Sequence, residues 1–257
     1  MSNEGDEALL ERAASLVGNS RYSIAFVGAG LSAESGIPTF RGEGGLWTRF
    51  GEPDGSDWER FKRDPAAWWT RQQERRPGRD EFAIALANAQ PNPGHLALAK
   101  LERLGILRAI VTQNVDNLHQ MAGSQRVLEF HGNRTKLRCI DCGARFPREE
   151  FTLETLPPLC PACGGVVKSD TVMFGEPIPM DVLQESDQEA RLADLVLVIG
   201  TSAVVYPAAQ VPLIARQRGA VLIEVNPNPS AISEICNLSI RLPAGEALPA
   251  IVALLPR

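Results

Sequence analysis

Short apolar segments that stop at a glycine or asparagine recur along the chain. Ser23–Val27, Leu195–Ile199 and Val221–Val225 are followed directly by glycine, glycine and asparagine. Segments with helical spacing of apolar residues also occur, for example 6–18 and 208–218. Continuous apolar strands that alternate with helices are typical of parallel sheets covered on both faces. The pattern predicts an α/β fold with an open, doubly wound parallel sheet, which binds ligands at the carboxyl ends of its strands.

Four cysteines form two identical pairs in the middle of the chain. Cys139 and Cys142 form the first pair, and Cys160 and Cys163 the second. Each pair brings two thiolates one short turn apart, which is the spacing by which zinc ribbons bind one tetrahedral ion. Four protein ligands leave no coordination position for water or substrate. The sequence therefore predicts one structural zinc ion. Two cysteine-containing loop pairs without metal are the alternative. Catalytic residues are expected outside the cysteine pairs.

Charge and composition argue against several classes of partner. The formal net charge of -5 gives no general attraction to nucleic acid. The acidic amino-terminal segment has no apolar signal, and no apolar run reaches the length of a membrane span. Cysteines in metal spacing fit a reducing compartment, and Cys236, with apolar neighbours, is predicted to be an inert thiol. We therefore expect a cytoplasmic protein, most simply a monomer, without nucleic-acid or membrane partners.

Gly28, Ala29 and Gly30 directly follow the first predicted strand, Ser23–Val27. Small residues after a strand let the backbone approach a pyrophosphate, although a purely structural turn explains them equally well. Pro38 is predicted to interrupt the following helix after roughly two turns. A dehydrogenase would instead continue to a second strand with an acidic ribose-binding residue. The segment after the glycines is therefore expected to continue over a nucleotide, and hydride transfer is not favoured.

Six segments of the chain are distinctive in sequence. They are GAGLSAESGIPTFRG (28–42), TQNVDNLH (112–119), HGN (131–133), FGE (174–176), GTS (200–202) and EVNP (224–227). Together with the cysteine pairs, which lie between the third and fourth segments, they resemble the signature of the sirtuins, the NAD-dependent protein lysine deacylases. The resemblance extends over residues 22–245. Its order and length make a chance match an inadequate explanation.

The resemblance implies a large Rossmann-like domain and a smaller domain made of a zinc ribbon and a helical insertion. The Rossmann-like part would comprise residues 1–36, 94–134 and 170–257. The cofactor loop and helical insertion would occupy 37–93, and the zinc-ribbon module 135–169. NAD and an acyl-lysine would enter the cleft between the two domains from opposite sides.

The resemblance also assigns ligand contacts by motif position. The glycine loop would line the phosphates, Phe40 and Arg41 would cover the nicotinamide ribose, and the later motifs would hold the ribose, carboxamide and adenosine. The residues assigned to NAD are Gly28, Ala29, Gly30, Ser32, Glu34, Thr39, Phe40, Arg41, Trp47, Gln113, Asn114, Asp116, Gly200, Thr201, Ser202, Asn226, Pro227, Asn228 and Ala244. The residues assigned to the substrate are Val172, Phe174, Gly175 and Glu176, in a segment that pairs with the peptide as an added strand, and Gln72 and Arg75.

The reaction that the resemblance implies has the amide oxygen of the acyl-lysine displace nicotinamide. His131 would act as general base on a ribose hydroxyl, with Asn114 as a second catalytic residue. An imidazole suits this task because it titrates near neutral pH, and His131 follows the strand predicted over residues 127–130. The other two histidines are predicted to be structural: His95 in helix capping or packing, and His119 on a short helix.

The acyl group is indicated by one pair of positions. Family members that remove succinyl or malonyl groups carry a Tyr-x-x-Arg pair, and Gln72 and Arg75 stand at the corresponding positions here. Both tyrosines of the chain, Tyr22 and Tyr206, lie elsewhere. The sequence therefore favours deacetylation, with release of nicotinamide and O-acetyl-ADP-ribose. Desuccinylation, demalonylation and mono-ADP-ribosyl transfer remain alternatives, and the acidic charge opposes a non-catalytic zinc-ribbon protein that binds nucleic acid.

Overall fold

The computed structural model of the chain describes residues 4–42, 44–72, 74, 77–151 and 154–255. Six strands form a parallel sheet and three form an antiparallel sheet. The strands are β1 (Ser23–Val27), β2 (Leu107–Thr112), β3 (Val127–Glu129), β4 (Lys136–Cys139), β5 (Arg145–Pro147), β6 (Val167–Ser169), β7 (Leu195–Ile199), β8 (Val221–Val225) and β9 (Leu238–Ile240). The large sheet has the order β3-β2-β1-β7-β8-β9, so the strand order reverses between β1 and β7.

The helices cover both faces of the large sheet and also form an insertion between β1 and β2. They are α1 (Glu4–Asn19), α2 (Gly30–Ala33), α3 (Leu46–Phe50), α4 (Asp57–Arg63), α5 (Pro65–Gln72), α6 (Pro77–Asn88), α7 (Pro93–Arg103), α8 (Leu118–Met121), α9 (Met180–Leu192), α10 (Gln210–Gln217) and α11 (Ala244–Ala253). Among the described residues, none of these helices is both long enough and apolar enough to cross a bilayer.

Strand β1 shows why the sheet is covered on both sides. All five of its residues are buried. Because side chains alternate between the faces of a strand, Ala25 and Val27 belong to one apolar cluster, whereas Ile24 and Phe26 belong to the other. Residues of α1, α7 and α11 complete the first cluster, and residues of α9 and α10 complete the second. The predicted doubly wound α/β sheet is confirmed.

The helix after the glycine run is shorter than predicted. Helix α2 spans four residues, about one turn, and not the two turns expected up to Pro38. The chain leaves the helix because Ser35 and Gly36 donate to carbonyls three residues earlier, and Gly36 has a φ of +83°. A glycine in this left-handed conformation ends helices, so the stop comes before the proline.

The smaller unit combines the antiparallel sheet with part of the helical insertion. Strand β4 lies between β5 and β6 and ends at Cys139. Trp69 of α5 packs against Leu137 and Val167 in one apolar cluster, and its indole nitrogen donates to the carbonyl oxygen of Val167 at 3.0 Å. The helical insertion and the ribbon therefore share a core, as the predicted fold class requires.

The two histidines that the sequence predicts to be structural, His95 of α7 and His119 of α8, contact each other. His95 belongs to a capping box at the start of α7, in which Asn92 Oδ1 accepts from the backbone nitrogens of Gly94 and His95. The His95 ring lies 5.1 Å from the ring of His119, between centroids, and both residues are almost fully buried. The prediction that both are structural agrees with these contacts.

We expect stability to fall as the pH is lowered below about 6.5, where histidines of the unfolded chain take up protons. Burial lowers the pKa of His95 to about 4 and that of His119 to about 3. Between these values and 6.5 the unfolded state binds more protons, so each histidine should remove up to about 1.4 kcal/mol per pH unit. Above about pH 7.5 both are neutral in both states and contribute no pH dependence.

Urea unfolding at pH 7 and at pH 5 measures this effect. The variant His119→Asn carries no titrating group at this position, so its stability should decline less steeply over the same interval. An equal decline in the variant and the natural chain would contradict the assignment of the acid sensitivity to this pair.

Candidate active site

The loops that follow β1 and β7 pack against each other at the carboxyl edge of the sheet. The backbone nitrogen of Gly30 donates to the carbonyl of Gly200 at 2.8 Å. A Cβ atom on Gly30 would lie 2.7 Å from Gly200 Cα, and one on Gly28 would lie 2.7 Å from Thr201 Cβ. The glycines are therefore required by loop packing as well as by any ligand. This contact stands where the strand order reverses, the usual ligand position in such sheets.

Two side-chain amides after β2 extend this arrangement. Gln113 Nε2 donates to Thr201 Oγ1 at 3.0 Å, and Asn114 Nδ2 donates to the carbonyl of Gly28 at 3.1 Å. Because both amide nitrogens are used within the protein, the amide oxygens are the groups left to accept hydrogen bonds from ligand hydroxyls or amides. The structure thus brings the motifs after β1, β2 and β7 together.

Ser32 and Asp116 are turned into the protein. The Ser32 hydroxyl donates to Asp116 Oδ2 at 2.7 Å, and Asp116 Oδ1 accepts from the backbone nitrogen of Leu118 at 2.9 Å. Burial raises the pKa of the Asp116 carboxyl, and the Ser32 hydrogen bond opposes that rise. Ser32 is 1% exposed and its backbone nitrogen donates to the carbonyl of Ala29 at 3.0 Å, so Ser32 positions Asp116, and Asp116 fixes the start of α8.

His131 lies two residues beyond the end of β3, at the carboxyl edge of the same sheet. Its Nδ1 atom is 3.1 Å from the carbonyl oxygen of Gln113. A carbonyl only accepts, so Nδ1 carries the proton and Nε2 holds the lone pair of the neutral ring. Burial lowers the pKa of His131, against a smaller upward effect of the Gln113 hydrogen bond. The ring is therefore neutral at neutral pH, with Nε2 as its basic atom.

Four aromatic rings contact one another in the segments that follow α2 and in the 172–176 loop, and we call them the aromatic cluster: Phe40, Trp47, Phe82 and Phe174. The centroid of the Phe40 ring lies 4.8 Å from Trp47 and 5.3 Å from Phe82, and Trp47 lies 5.4 Å from Phe174. The guanidinium of Arg41 lies over Trp47 at 4.4 Å. Contiguous rings of this kind exclude water from the space they cover. The sequence did not single out Phe82, which comes from α6.

Other residues assigned to NAD lie around this centre. Thr39 Oγ1 donates to the carbonyl of Arg41 at 3.1 Å, within the loop that carries Phe40. Ala29 is half-buried between Gly28 and Gly30. Glu34 Oε1 accepts from the backbone nitrogen of Gly245 at 2.8 Å, beside the buried Ala244 at the start of α11.

The loop after β8 forms the far end of the candidate cofactor site. Asn226 Nδ2 donates to the carbonyl of Thr201 at 3.0 Å, which joins this loop to the one after β7. Ser202, Pro227 and Asn228 are exposed beside it. The predicted adenosine end is thus an open surface that adjoins the packed centre.

The segment predicted to receive the peptide is a loop and not a strand. The backbone nitrogen of Val172 donates to the carbonyl of His131 at 2.9 Å, and the carbonyl of Phe174 accepts from Trp58 at 3.1 Å. Gly175 is exposed, whereas the Glu176 side chain is 3% exposed and points inward. Any ligand contact of Glu176 would therefore come from its backbone.

Of the two positions that the sequence assigns to acyl recognition, Gln72 belongs to the described residues. Gln72 is exposed at the end of α5. Arg75 lies outside the described residues, and the role of this pair stays a prediction.

The four paired cysteines form one cluster. Their Sγ atoms all lie within 4.8 Å of one another, with Cys139 and Cys163 3.5 Å apart and Cys142 and Cys160 3.7 Å apart. Tetrahedral zinc with sulfur bonds of about 2.3 Å requires sulfurs about 3.8 Å apart. Cys139 and Cys160 are buried, whereas Cys142 and Cys163 are exposed. The donor set and its spacing fit one zinc ion with no open position.

Asn133 joins the His131 loop to its surroundings, and the sequence assigned it no role despite its place in the HGN segment. Its Nδ2 donates to Asn117 Oδ1 at 2.8 Å, and its backbone nitrogen donates to Asp170 Oδ2 at 3.0 Å. Asn117 has a φ of +69°, which places it in the left-handed region. Asn133 therefore couples the loops after β2 and β3.

Comparison with known proteins agrees with this geometry. The Sir2 family model matches residues 28–207. The NAD-dependent protein deacylase 2 of Pyrobaculum aerophilum is 46% identical over 239 residues, which cover 93% of this chain and 93% of that protein. A solved Sir2 homolog–NAD complex has a TM-score of 0.77 at 42% identity, covering 95% of this chain and 92% of its own. A solved Sir2 with a deacetylated p53 peptide and 3'-O-acetyl ADP-ribose has a TM-score of 0.78 at 33% identity, covering 95% and 97%. The predicted resemblance to the sirtuins is confirmed, and the chain belongs to the Sir2 family.

Proposed function

We propose that this protein is an NAD-dependent protein lysine deacetylase that releases nicotinamide and O-acetyl-ADP-ribose. The observation that carries the proposal is the neutral His131 ring, whose Nδ1 is held by the Gln113 carbonyl and whose Nε2 is left basic. It stands at the edge of the sheet where the loops after β1, β2 and β7 are joined by hydrogen bonds. The names of the relatives and the contents of the two solved complexes support the same activity.

In this proposal NAD is a co-substrate whose ribose is the site of bond cleavage. The acyl-lysine amide oxygen displaces nicotinamide and forms an imidate with the ribose carbon. His131 Nε2 takes a proton from a ribose hydroxyl, whose oxygen then attacks the imidate carbon. Addition of one water and cleavage of the carbon–nitrogen bond free the lysine amine and leave the acyl group on the ribose. Asn114 and Gln113 orient the ribose and carboxamide through their amide oxygens. The aromatic cluster keeps water from the reacting carbon, which favours capture by the amide oxygen over hydrolysis.

The remaining assignments follow from the same proposal. The backbone of the glycine loop and the loop after β7 would hold the phosphates, and the surface beside Asn226 would hold the adenosine. The zinc ion would be structural, because four cysteine sulfurs complete its coordination. We further propose the domain division given by the sequence, with a Rossmann-like part, a helical insertion and a zinc-ribbon module.

We propose acylated proteins as the substrates, with the chain acting as a cytoplasmic monomer that has no direct nucleic-acid partner. The formal net charge of -5 supports the absence of nucleic acid as a main ligand. Acetyl-lysine is favoured over succinyl- and malonyl-lysine because Gln72 stands where a tyrosine would bind the acyl carboxylate.

One assay tests the proposal. Peptides of a single sequence that carry acetyl-, succinyl- or malonyl-lysine are incubated with NAD, and the products are identified by mass spectrometry. We expect free lysine peptide, nicotinamide and O-acetyl-ADP-ribose in equal amounts, with the acetyl peptide consumed fastest. Faster consumption of an acidic acyl peptide would overturn the acetyl preference. An intact acyl peptide together with an ADP-ribosylated protein would overturn deacylation in favour of ADP-ribosyl transfer.

A further inference from the structure

A set of buried charges lies between the ribbon strands and the loops that flank the candidate active site. We call it the charge network, and it comprises Arg138, Lys168, Asp170 and Glu176. Their side chains are 11%, 0%, 1% and 3% exposed, respectively. Charges buried to this extent are strongly unfavourable unless each has a partner. The way in which they are paired therefore constrains the conformation of every segment that carries one.

Arg138 and Lys168 stand directly opposite each other on β4 and β6. Like charges at opposed positions of an antiparallel pair repel, and burial strengthens that repulsion. The carboxylate of Glu176 relieves it: Oε1 accepts from Arg138 Nη2 at 2.5 Å, and Oε2 lies 3.1 Å from Lys168 Nζ. Glu176 belongs to the loop and not to the ribbon, so the ribbon receives its counter-ion from the predicted peptide-binding segment.

The Lys168 ammonium group uses all three of its donors within the protein. Two of them bind the carbonyls of Ser169 and Thr171 at 2.7 and 2.8 Å, and the third faces Glu176. Glu176 Oε2 also accepts from the backbone nitrogen of Met173 at 2.8 Å. The ion pair therefore fixes both ends of the segment 171–176.

The segment 171–176 and Asp170 position residues of the aromatic cluster and of the loop that carries His131. Phe174 contributes its ring to the aromatic cluster, and Val172 donates to the carbonyl of His131. Asp170 Oδ1 lies 3.2 Å from Arg138 Nε, an ion pair without hydrogen-bond geometry, and Asp170 Oδ2 accepts from the backbone nitrogen of Asn133. The charge network therefore contacts both the loop that carries His131 and the 172–176 loop that is predicted to bind the peptide.

We propose that Lys168, Glu176 and Arg138 are positioning residues whose ion pairs hold the 172–176 loop in the conformation that receives an acyl-lysine peptide. The Glu176 carboxylate contacts no substrate in this arrangement and acts only through the loop. The identity of the ligand rests on the proposed function, whereas the order of the loop is measured without turnover.

The variants Lys168→Met and Glu176→Gln, together with the double variant, test the proposal. Glu176→Gln leaves the buried Lys168 without its ion-pair partner, and Lys168→Met leaves Glu176 dependent on Arg138, which also pairs with Asp170. Each single change therefore unbalances the buried charges, so backbone amides of 171–176 should exchange hydrogen at least about tenfold faster. The KM for an acetyl-lysine peptide should rise about tenfold or more, with the KM for NAD changed less than about threefold. The double variant removes both charges but also the Lys168 hydrogen bonds to Ser169 and Thr171, so each quantity should lie between that of Glu176→Gln and that of the natural chain.

Arg126→Met is the matched control, because it removes the ion-pair partner of Glu189, a carboxylate that is 2% exposed and lies outside the charge network. It should lower stability without faster exchange in 171–176. Zinc content and exchange in β1 and β7 verify that the ribbon and the core of each variant are intact.

Three results would overturn the proposal. The first is unchanged loop exchange in both single variants. The second is a double variant as impaired as Glu176→Gln, which would show that the carboxylate acts on the peptide directly. The third is equally faster loop exchange in Arg126→Met, which would make the effect a general one. A natural chain that consumes no NAD would contradict the proposed function alone, since the exchange comparison remains decisive for the loop.

Discussion

Replacing His131 by alanine is expected to lower deacetylation turnover by about 10²–10⁴-fold, because the proton of the ribose hydroxyl loses its acceptor. The half-buried ring makes a hydrogen bond to the Gln113 carbonyl and packs edge-on against Phe130, so its removal leaves the sheet in place. Steady-state rates at saturating NAD and peptide measure the effect. Thermal unfolding and NAD affinity, both expected close to those of the natural chain, are the controls.

The pH dependence of turnover by the natural chain is a second test of the role of His131. Burial lowers the pKa of His131 from the ordinary 6.5, so the base stays unprotonated through neutral pH. Turnover should therefore fall on acidification only below about pH 6.5, and this acid limb should be absent from the residual activity of His131→Ala. An alanine variant within about tenfold of the natural rate would place the base elsewhere.

Removal of zinc is expected to abolish activity and to unfold the ribbon. Strands β4, β5 and β6 are short, and their core consists of a few residues around Leu137, Val167 and Trp69. A module of this size depends on its metal, and structural zinc contributes about 10–16 kcal/mol in zinc-finger peptides. Chelator titration with parallel readings of zinc release, deacetylation and hydrogen exchange in 136–169 tests this expectation.

Cysteine variants separate the metal from general thiol effects. Cys160→Ser should lose zinc and activity together. Cys236→Ser should lose neither, because Cys236 lies outside the cluster and burial raises the pKa of its thiol to about 12. Full activity in protein that has been stripped of zinc would contradict a structural role for the ion.

The strands of the large sheet were predictable from sequence wherever an apolar run met a residue that stops it. Strands β1, β7 and β8 have the predicted bounds, because each is a continuous buried run that ends at glycine or asparagine. Strand β9 has three residues with only two buried, which is too short to produce a pattern. Helix α9 was also missed, since its largely polar sequence covers the sheet with few buried side chains.

The sequence predicted which segments form the candidate site, but it did not predict which of their side chains point into the protein. The motifs located the loops after β1, β2, β3, β7 and β8, and the structure brings these loops together. The inward orientation of Ser32, Asp116 and Glu176 depends on partners far away in the chain. The role of Lys168 could not be predicted from the sequence, because it depends on the strand register that places Lys168 opposite Arg138.

The hydrogen bond between Val172 and His131 has a consequence for how this architecture can vary. The chain departs toward the ribbon just after His131 and returns just before Val172, and the two junction points are 2.9 Å apart, from nitrogen to oxygen. The segment 132–171 leaves the edge of the large sheet and returns to it at nearly the same point. Its length therefore does not affect the geometry of the sheet. A ribbon of different size that keeps Arg138, Lys168 and Asp170 could be grafted at this junction and leave the imidazole where it stands.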